Sequence, residues 1–251
     1  MMPLIKIGPL ALSSFGLTVL IALWTGSWAI DRLAQRRGLP EGLPGALAPL
    51  LVVAGLIGAR LWYVLFNLDL YAAQPALIGQ LSFGAFAFPG ALLAGWLVLN
   101  FYARLCRSPA AQWSDLLAQV LPWGQALGMI GLVLSGEAYG RPSELPWALP
   151  LLGVSRHPSQ IYEALALAGL GLWLWRLTRL QPAPGILTAH YLAGYGALRL
   201  LLEPLRGDSL LIGTVRTAQV FGLALLLGAL YWLWWRVPAA QSEGSRYHDD
   251  A

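Results

Sequence analysis

Charged and hydrogen-bonding side chains are concentrated in one stretch of an otherwise apolar sequence. Between positions 121 and 162 they include Glu137, Tyr139, Arg141, Glu144, Arg156, His157, Ser159, Gln160 and Tyr162. Polar groups at membrane level are costly, so they usually mark function. The glycines and prolines of the same stretch argue against one continuous helix and predict a structured loop between two helix ends. We therefore expect the functional site in this loop.

A second polar set follows at helical spacing. Arg199, Glu203 and Arg206 are four and three residues apart, so one helix face would present two guanidinium groups and a carboxylate. Guanidinium suits phosphate because its planar fork donates two parallel hydrogen bonds. The pattern favours binding of a phosphate in a lipid head group at the bilayer surface.

The same residues also have structural interpretations, which stay open at this point. An Arg and a Glu can pair simply to hold two helices together. His157, which precedes Pro158, can be a loop histidine satisfied by a neighbour. Tyr and Trp side chains are more often interfacial anchors than ligand-stacking groups. The concentration of both signs of charge at one membrane face favours the functional interpretation.

Composition predicts the class of protein. The chain has 251 residues, of which 57% are hydrophobic and 11% charged, far from the usage of a soluble domain. We expect an all-α polytopic membrane protein. The single cysteine, Cys106, excludes an internal disulfide, and with three histidines the sequence disfavours a metal site. The net charge of +4 lies mostly in short loops, which favours a membrane-topology signal over nucleic-acid binding.

The apolar segments predict about seven membrane spans, since each crossing needs about 20 residues. The segments are 10–30, 46–66, 81–100, 116–134, 161–175, 185–202 and 214–235. The first part of the third segment is predicted to be a re-entrant or surface-lying arm. Ser114 is predicted to cap the fourth span, with Asp115 in its first turn. Arg60 lies inside the second span, where an arginine requires a carboxylate, a phosphate or water.

Arginine distribution predicts the orientation. The residues expected on the cytoplasmic side are Arg32, Arg36, Arg37, Arg104, Arg107, Arg176, Arg179 and Arg236. The N-terminus is then outside and the C-terminus inside, and the polar site lies at the outer face. Residues 1–236 are predicted to form a single transmembrane domain, and 237–251 a short polar cytoplasmic tail.

Several segments resemble the bacterial prolipoprotein diacylglyceryl transferases. The most specific are GEAYGRP and RHPSQIYE, within PWGQALGMIGLVLSGEAYGRP and RHPSQIYEA. Along the chain, GLIGARLWYVLF, SFGAFAFPGALLAG, GYGALRLLLEPLRGD and TAQVFG support the resemblance in the same order. It covers residues 3–235.

The resemblance implies a multi-pass enzyme of the bacterial inner membrane that uses no metal or cofactor. Such an enzyme moves the diacylglyceryl group of phosphatidylglycerol to the lipobox cysteine thiol of a prolipoprotein signal peptide and releases glycerol phosphate. Its partners would be this lipid, prolipoproteins and the membrane, with no nucleic acid.

The resemblance and the polar constellation together give the candidate site residues. The catalytic candidates are Arg199, Glu203, His157 and Glu137, and the substrate-binding candidates are Arg141, Arg206, Arg60, Tyr139, Gln160 and Tyr162. We expect Arg199 and Arg206 to hold the phosphate, Glu137 and Glu203 to orient these arginines, and His157 to form a hydrogen bond.

The chain departs from the family pattern at several polar positions. A His-Gly-Gly of the family reads Pro89-Gly90-Ala91 here, a family tyrosine is Phe15, and the family's Gly-Arg-Ile-Gly-Asn-Phe-x-Asn is replaced at 128–135 by GMIGLVLS. The alternative is therefore a catalytically inactive member that binds lipid or lipoprotein at the outer face. A small transporter or channel is disfavoured because the charges cluster at one face.

Overall fold

A computed structural model describes residues 4–7, 10–39, 43–79, 87–151 and 153–249. Helices dominate this part of the chain, and short strands form three antiparallel hairpins. The helices are α1 (Ser14–Arg36), α2 (Leu43–Leu65), α3 (Leu68–Ala73), α4 (Phe88–Leu105), α5 (Ala110–Ser135), α6 (Ser159–Thr178), α7 (Ile186–Leu202) and α8 (Thr217–Asp249), with 3-10 turns at Pro75–Gly79 and Glu203–Leu205. The hairpins pair β1 (Leu4–Ile7) with β2 (Leu10–Ser13), β3 (Leu149–Leu151) with β4 (Val154–Arg156), and β5 (Leu211–Ile212) with β6 (Val215–Arg216).

The architecture is that of an all-α membrane protein. Within the described residues, five helices are long and apolar enough to cross a membrane by length and composition. They are α1, α4, α5, residues Leu47–Leu65 of α2 and residues Thr217–Arg236 of α8. Helix α6 and the 17-residue α7 are not among them. Seven spans and the predicted orientation therefore stay predictions.

Each predicted apolar segment overlaps a long helix, but the ends differ. The predicted arm at the start of segment 81–100 falls largely on residues 80–86, which lie outside the described residues. The predicted cap at Ser114 is wrong, because α5 begins at Ala110 and the Ser114 hydroxyl donates to the Ala110 carbonyl at 3.0 Å. Helix α8 continues to Asp249, through most of the predicted tail.

The chain divides into two compact units, and residues 27–114 form one of them. Within it, α2 packs on α4 where Gly58 and Gly90 meet. A Cβ atom on either glycine would overlap the backbone carbonyl of the other. Small residues allow membrane helices to approach this closely, so the two glycines determine the packing of this pair.

The other unit contains residues 1–26 and 115–251. In it α7 packs against both α6 and α8. The buried Asp115 of α5 accepts hydrogen bonds from the Gly185 amide at 2.7 Å, the Thr188 amide at 2.8 Å and the Thr188 hydroxyl at 2.7 Å. Asp115 thus caps the N-terminus of α7 rather than that of its own helix. The cap anchors the helix whose opposite end carries Arg199.

Candidate active site

The connection between α5 and α6 is held by the first turn of α6. The Ser159 hydroxyl donates to the Ala138 carbonyl at 3.1 Å, and the Gln160 side-chain amide donates to the Glu137 carbonyl at 2.7 Å. Both side chains are buried. A serine and a glutamine that directly follow Pro158 therefore determine the path of the GEAYGRP segment.

Residues 139–142 join the two polar regions that the sequence singled out. The Arg141 amide donates to the Leu205 carbonyl at 2.9 Å, and the Gly207 amide donates to the Tyr139 carbonyl at 2.9 Å. On the other side, the His157 amide donates to the Arg141 carbonyl at 2.9 Å. The GEAYGRP segment thus lies between the RHPSQIYE segment and the chain that follows α7.

Close packing at this junction requires glycine. A Cβ atom on Gly140 would overlap the backbone carbonyl of His157 and lie 2.8 Å from the His157 Cβ. Gly140 also forms an antiparallel bridge with Arg206, and its carbonyl accepts a hydrogen bond from Arg156 at 3.2 Å. No larger residue fits without a shift of the backbone.

Five charged side chains meet beside this junction and form what we call the arginine–carboxylate cluster: Glu163, Arg199, Glu203, Arg206 and Asp208. Glu163 is 1% exposed and bridges the two arginines, through one oxygen to Arg199 and through the other to Arg206 at 3.3 Å. Arg199 also pairs with Glu203 at 3.1 Å. Both oxygens of Asp208 accept from Arg206, from Nε and Nη2 at 3.1 Å each.

A third arginine lies against the backbone of the cluster. Nη1 of Arg216 donates to the carbonyls of Glu203 at 3.1 Å and Arg206 at 3.2 Å, and also to the Ser209 hydroxyl. With Arg216 the group contains three positive and three negative side chains, so its formal charge is zero. Arg216 fixes the course of the chain that carries Arg206.

Electrostatics keep Arg206 protonated. Burial alone would lower its pKa, but the negative charges of Glu163 and Asp208 outweigh burial, and the pKa of Arg206 lies above its ordinary value. The guanidinium is therefore charged at any working pH. It can donate hydrogen bonds to an anion, but it cannot transfer a proton as a general acid.

Two aromatic residues precede Arg199 on α7 and line up with it. The guanidinium of Arg199 lies 5.4 Å from the Tyr195 ring centroid, and Tyr195 stacks on Tyr191 with ring centroids 6.0 Å apart. Tyr191 donates its hydroxyl hydrogen bond to Gln125 at 3.1 Å. The spacing of four residues places Tyr191, Tyr195 and Arg199 on one helix face.

Three buried polar atoms lack a hydrogen-bond partner among the described residues: His157 Nδ1, Gln160 Oε1 and Arg199 Nε. The Gln160 orientation follows from its contact, because only the amide nitrogen can donate to the Glu137 carbonyl. Unpaired buried groups are rare and need an explanation. Of the three, Arg199 Nε is an unpaired donor and Gln160 Oε1 an unpaired acceptor.

Comparison with known proteins agrees with the resemblance seen in the sequence. The family model for prolipoprotein diacylglyceryl transferase matches residues 3–235. The chain belongs to this family. Three relatives are named phosphatidylglycerol–prolipoprotein diacylglyceryl transferase. The one from Synechococcus elongatus is 36% identical and the alignment covers 92% of this chain and 86% of the relative. The corresponding values are 36%, 96% and 94% for Nostoc sp., and 33%, 92% and 90% for Vibrio cholerae.

In this family member the carboxylate that contacts both Arg199 and Arg206 is Glu163, which was not among the predicted site residues. Glu203 does pair with Arg199, but the Glu137 side chain is exposed and forms no ion pair within the described residues. The orienting role expected of Glu137 therefore stays a prediction, while the observed contacts to Arg199 and Arg206 come from Glu163. Glu163 ends the RHPSQIYE motif and lies three residues after Gln160 on α6, a spacing that would have placed both on one face.

The other predicted substrate-binding residues have different surroundings. The Arg141 guanidinium is exposed and forms no hydrogen bond in the described part of the chain. The Tyr139 ring lies 4.8 Å from the Arg156 guanidinium. The Tyr162 hydroxyl accepts a hydrogen bond from Trp147 at 2.6 Å, and its ring meets that of His157 edge-on at 6.2 Å.

Arg60 belongs to the unit formed by residues 27–114. Its Nε donates to the Ile78 carbonyl at 3.1 Å, its Nη2 donates to the Leu77 carbonyl at 2.5 Å, and its guanidinium lies 5.2 Å from the Tyr71 ring centroid. The partner expected from sequence was a carboxylate, a phosphate or water, whereas the observed contacts include backbone carbonyls of a 3-10 turn. A role in substrate binding stays a prediction.

Proposed function

We propose that this chain transfers the diacylglyceryl group of phosphatidylglycerol to the cysteine thiol of prolipoprotein signal peptides. Family membership over residues 3–235 supports the proposal, and so do the names of its relatives. The observation that carries it is the arginine–carboxylate cluster, in which Glu163 holds Arg199 and Arg206 next to each other. Two fixed guanidinium groups suit the charge of one phosphoryl group.

The location is part of the same proposal. The five apolar helices support a multi-pass protein, and we propose seven spans with the N-terminus outside and the C-terminus inside. The cluster then lies at the outer face of the bacterial inner membrane, where phosphatidylglycerol and the lipobox of a signal peptide are both available. The basic residues at the opposite helix ends favour this orientation.

The reaction is a displacement at carbon. The sulfur of the deprotonated cysteine attacks the glycerol carbon that carries the phosphate, a C–S bond forms, and the C–O bond to the phosphate breaks. The electron pair goes to the leaving oxygen, so a phosphodiester with one negative charge becomes glycerol phosphate with two. Donors fixed where this charge develops stabilise the transition state.

The residues of the cluster have distinct roles in this proposal. Arg199 and Arg206 donate hydrogen bonds to the phosphoryl oxygens, and the unpaired Nε of Arg199 is available as a donor. Glu163 and Glu203 position the two guanidinium groups. His157, whose Nδ1 lacks a partner in the described part of the chain, has a hydrogen-bonding role toward substrate.

A reconstituted assay tests the function. Purified protein would be mixed with phosphatidylglycerol and a lipobox peptide, and both glycerol phosphate and lipidated peptide would be measured. Arg199→Lys keeps the charge but loses the fork, and we expect a loss of about 100-fold, the size found for a missing oxyanion donor. Arg179→Lys, an exposed residue that contacts Trp175 outside the cluster, should retain activity.

Two results would contradict the proposal. One is product no higher than in the protein-free control when the protein is folded. Lipid binding without product would then favour the inactive, lipid-binding alternative. The other is an equal rate for wild type and Arg199→Lys, which would remove the cluster from the mechanism.

A further inference from the structure

The acidic residues of the cluster differ in how firmly they are held. Side chains of Glu163 and Glu203 are 2% and 4% exposed, whereas that of Asp208 is 27% exposed. Glu163 contacts both arginines, but Asp208 bonds only to Arg206 within the described residues. A partly exposed ion pair contributes little stability, because water solvates the separated charges. Of the three carboxylates, Asp208 is therefore the one whose separation from its arginine requires the least free energy.

Backbone hydrogen bonds hold the chain at Arg206 and Gly207 more firmly than at Asp208. The Arg206 amide donates to the Glu203 carbonyl at 3.1 Å, and the Arg206 carbonyl accepts from Arg216 at 3.2 Å. The next residue, Gly207, donates to the Tyr139 carbonyl at 2.9 Å. Asp208 has no such backbone bond in the described part of the chain. Its carboxylate can turn away from Arg206 while the arginine keeps its place.

The two nitrogens that Asp208 occupies are the edge of the guanidinium best suited to phosphate. Nε and Nη2 of Arg206 each donate to a different Asp208 oxygen at 3.1 Å. Two oxygens of a phosphoryl group can accept the same parallel pair of hydrogen bonds. Nη1 remains bonded to Glu163 at 3.3 Å, so the exchange needs no movement of the buried carboxylate.

We propose that the Nε/Nη2 edge of Arg206 is the phosphate subsite and that an anionic phospholipid binds there by displacing the carboxylate of Asp208. A phosphodiester carries one negative charge, as the carboxylate does, so the exchange leaves the charge around Arg206 unchanged. The inference rests on the proposed function for the identity of the lipid, phosphatidylglycerol. It does not require that the protein turn over.

Lipid binding without turnover is the direct test. Brominated phosphatidylglycerol would be titrated into the protein in detergent micelles, with quenching of tryptophan fluorescence as the readout. Asp208→Asn and Asp208→Ala remove the competing charge, and we expect both to bind the lipid about two- to fivefold more tightly, as expected for loss of a partly exposed ion pair. Glu144→Gln also removes one exposed negative charge from the α5–α6 connection and should leave the affinity unchanged.

A double-mutant cycle separates displacement from a general change in charge. Arg206→Lys should weaken lipid binding, and in that background Asp208→Ala should no longer raise the affinity. The inference is overturned if both Asp208 variants bind the lipid no more tightly than wild type. It is also overturned if Glu144→Gln raises the lipid affinity as much as the Asp208 variants do. The near-isosteric Asp208→Asn keeps the test valid if Asp208→Ala does not fold.

Two further arms distinguish the source of the phosphate and the two proposals. Inorganic phosphate and glycerol phosphate would be titrated against the bound lipid. If the Asp208 variants bind these ions more tightly than wild type but do not bind the lipid more tightly, the assignment of the subsite to a lipid is overturned. Tighter lipid binding without any peptide lipidation would refute the proposed transferase but not the subsite. Lipidation with unchanged binding by the Asp208 variants would refute the subsite alone.

Discussion

Replacement of Glu163 tests whether the cluster depends on one carboxylate. In Glu163→Gln the arginines lose a shared negative charge, although their side chains are only 11% and 17% exposed. Breaking a buried pair by removing one partner costs about 3–5 kcal/mol, because an uncompensated charge stays buried. Since Arg199 retains Glu203 and Arg206 retains Asp208, we expect the lower end, about 3 kcal/mol.

The stability loss expected for Glu163→Gln can be tested against two other variants, Glu203→Gln and the unpaired control Glu144→Gln. Among the described residues the Glu203 side chain pairs with Arg199 alone, and Arg199 also keeps Glu163, so Glu203→Gln should cost less, about 1–3 kcal/mol. Glu144 is exposed and forms no ion pair within the described residues, so Glu144→Gln should be neutral. Thermal unfolding of the three variants in detergent micelles should give melting temperatures in the order Glu163→Gln, Glu203→Gln, Glu144→Gln, with the first lowest.

Activity gives a second readout for Glu163. If it positions the guanidinium groups, Glu163→Ala should lose peptide lipidation, and added acetate should restore part of it by entering between the arginines. A melting temperature for Glu163→Gln equal to that of Glu144→Gln would refute the electrostatic reasoning. Full activity in Glu163→Ala without acetate would refute the positioning role.

Two further predictions concern residues that hold the site in place. Asp115→Ala should destabilise the protein by about 1–3 kcal/mol, because the hydrogen bonds at the start of α7 lose their acceptor. Asp115→Asn, which keeps an acceptor oxygen, should recover part of the melting temperature. Gly140→Ala should lower stability and activity together because its Cβ would overlap the His157 carbonyl. Gly128→Ala, which has open space around it in α5, should be neutral or stabilising in the same thermal and lipidation assays.

The sequence predicted the helices better than their ends. Long apolar segments indicate helices directly, and each of the seven predicted segments overlaps one. The start of α5 was missed because Gln112, Ser114 and Asp115 interrupt the apolar pattern, so the continuous apolar run begins after the helix does. Ser114 looked like a cap, yet it lies inside the helix and bonds back to Ala110.

The candidate site was predictable only where its residues are local in sequence. Arg199 and Glu203 are four residues apart, and their ion pair follows from helical spacing. Glu163 lies 36 residues before Arg199, so its role becomes visible only when α6 packs on α7. Arg60 shows the same limit, because the carbonyl groups that accept its hydrogen bonds belong to a 3-10 turn without a sequence signature.

The arginine–carboxylate cluster and Arg216 together carry no formal charge, and this explains how a buried group of arginines can exist and still bind an anion. Three unpaired guanidinium groups at low exposure would be prohibitively costly, and Glu163, Glu203 and Asp208 offset that cost. If a phosphodiester replaces Asp208, the substrate gains little net attraction, because one negative charge replaces another. The second negative charge appears only as the C–O bond breaks, and at that moment the cluster holds the leaving group more strongly than it held the substrate. Stronger binding of the transition state than of the substrate is what accelerates a reaction, so in this proposal the acidic residues determine the rate as much as the arginines do.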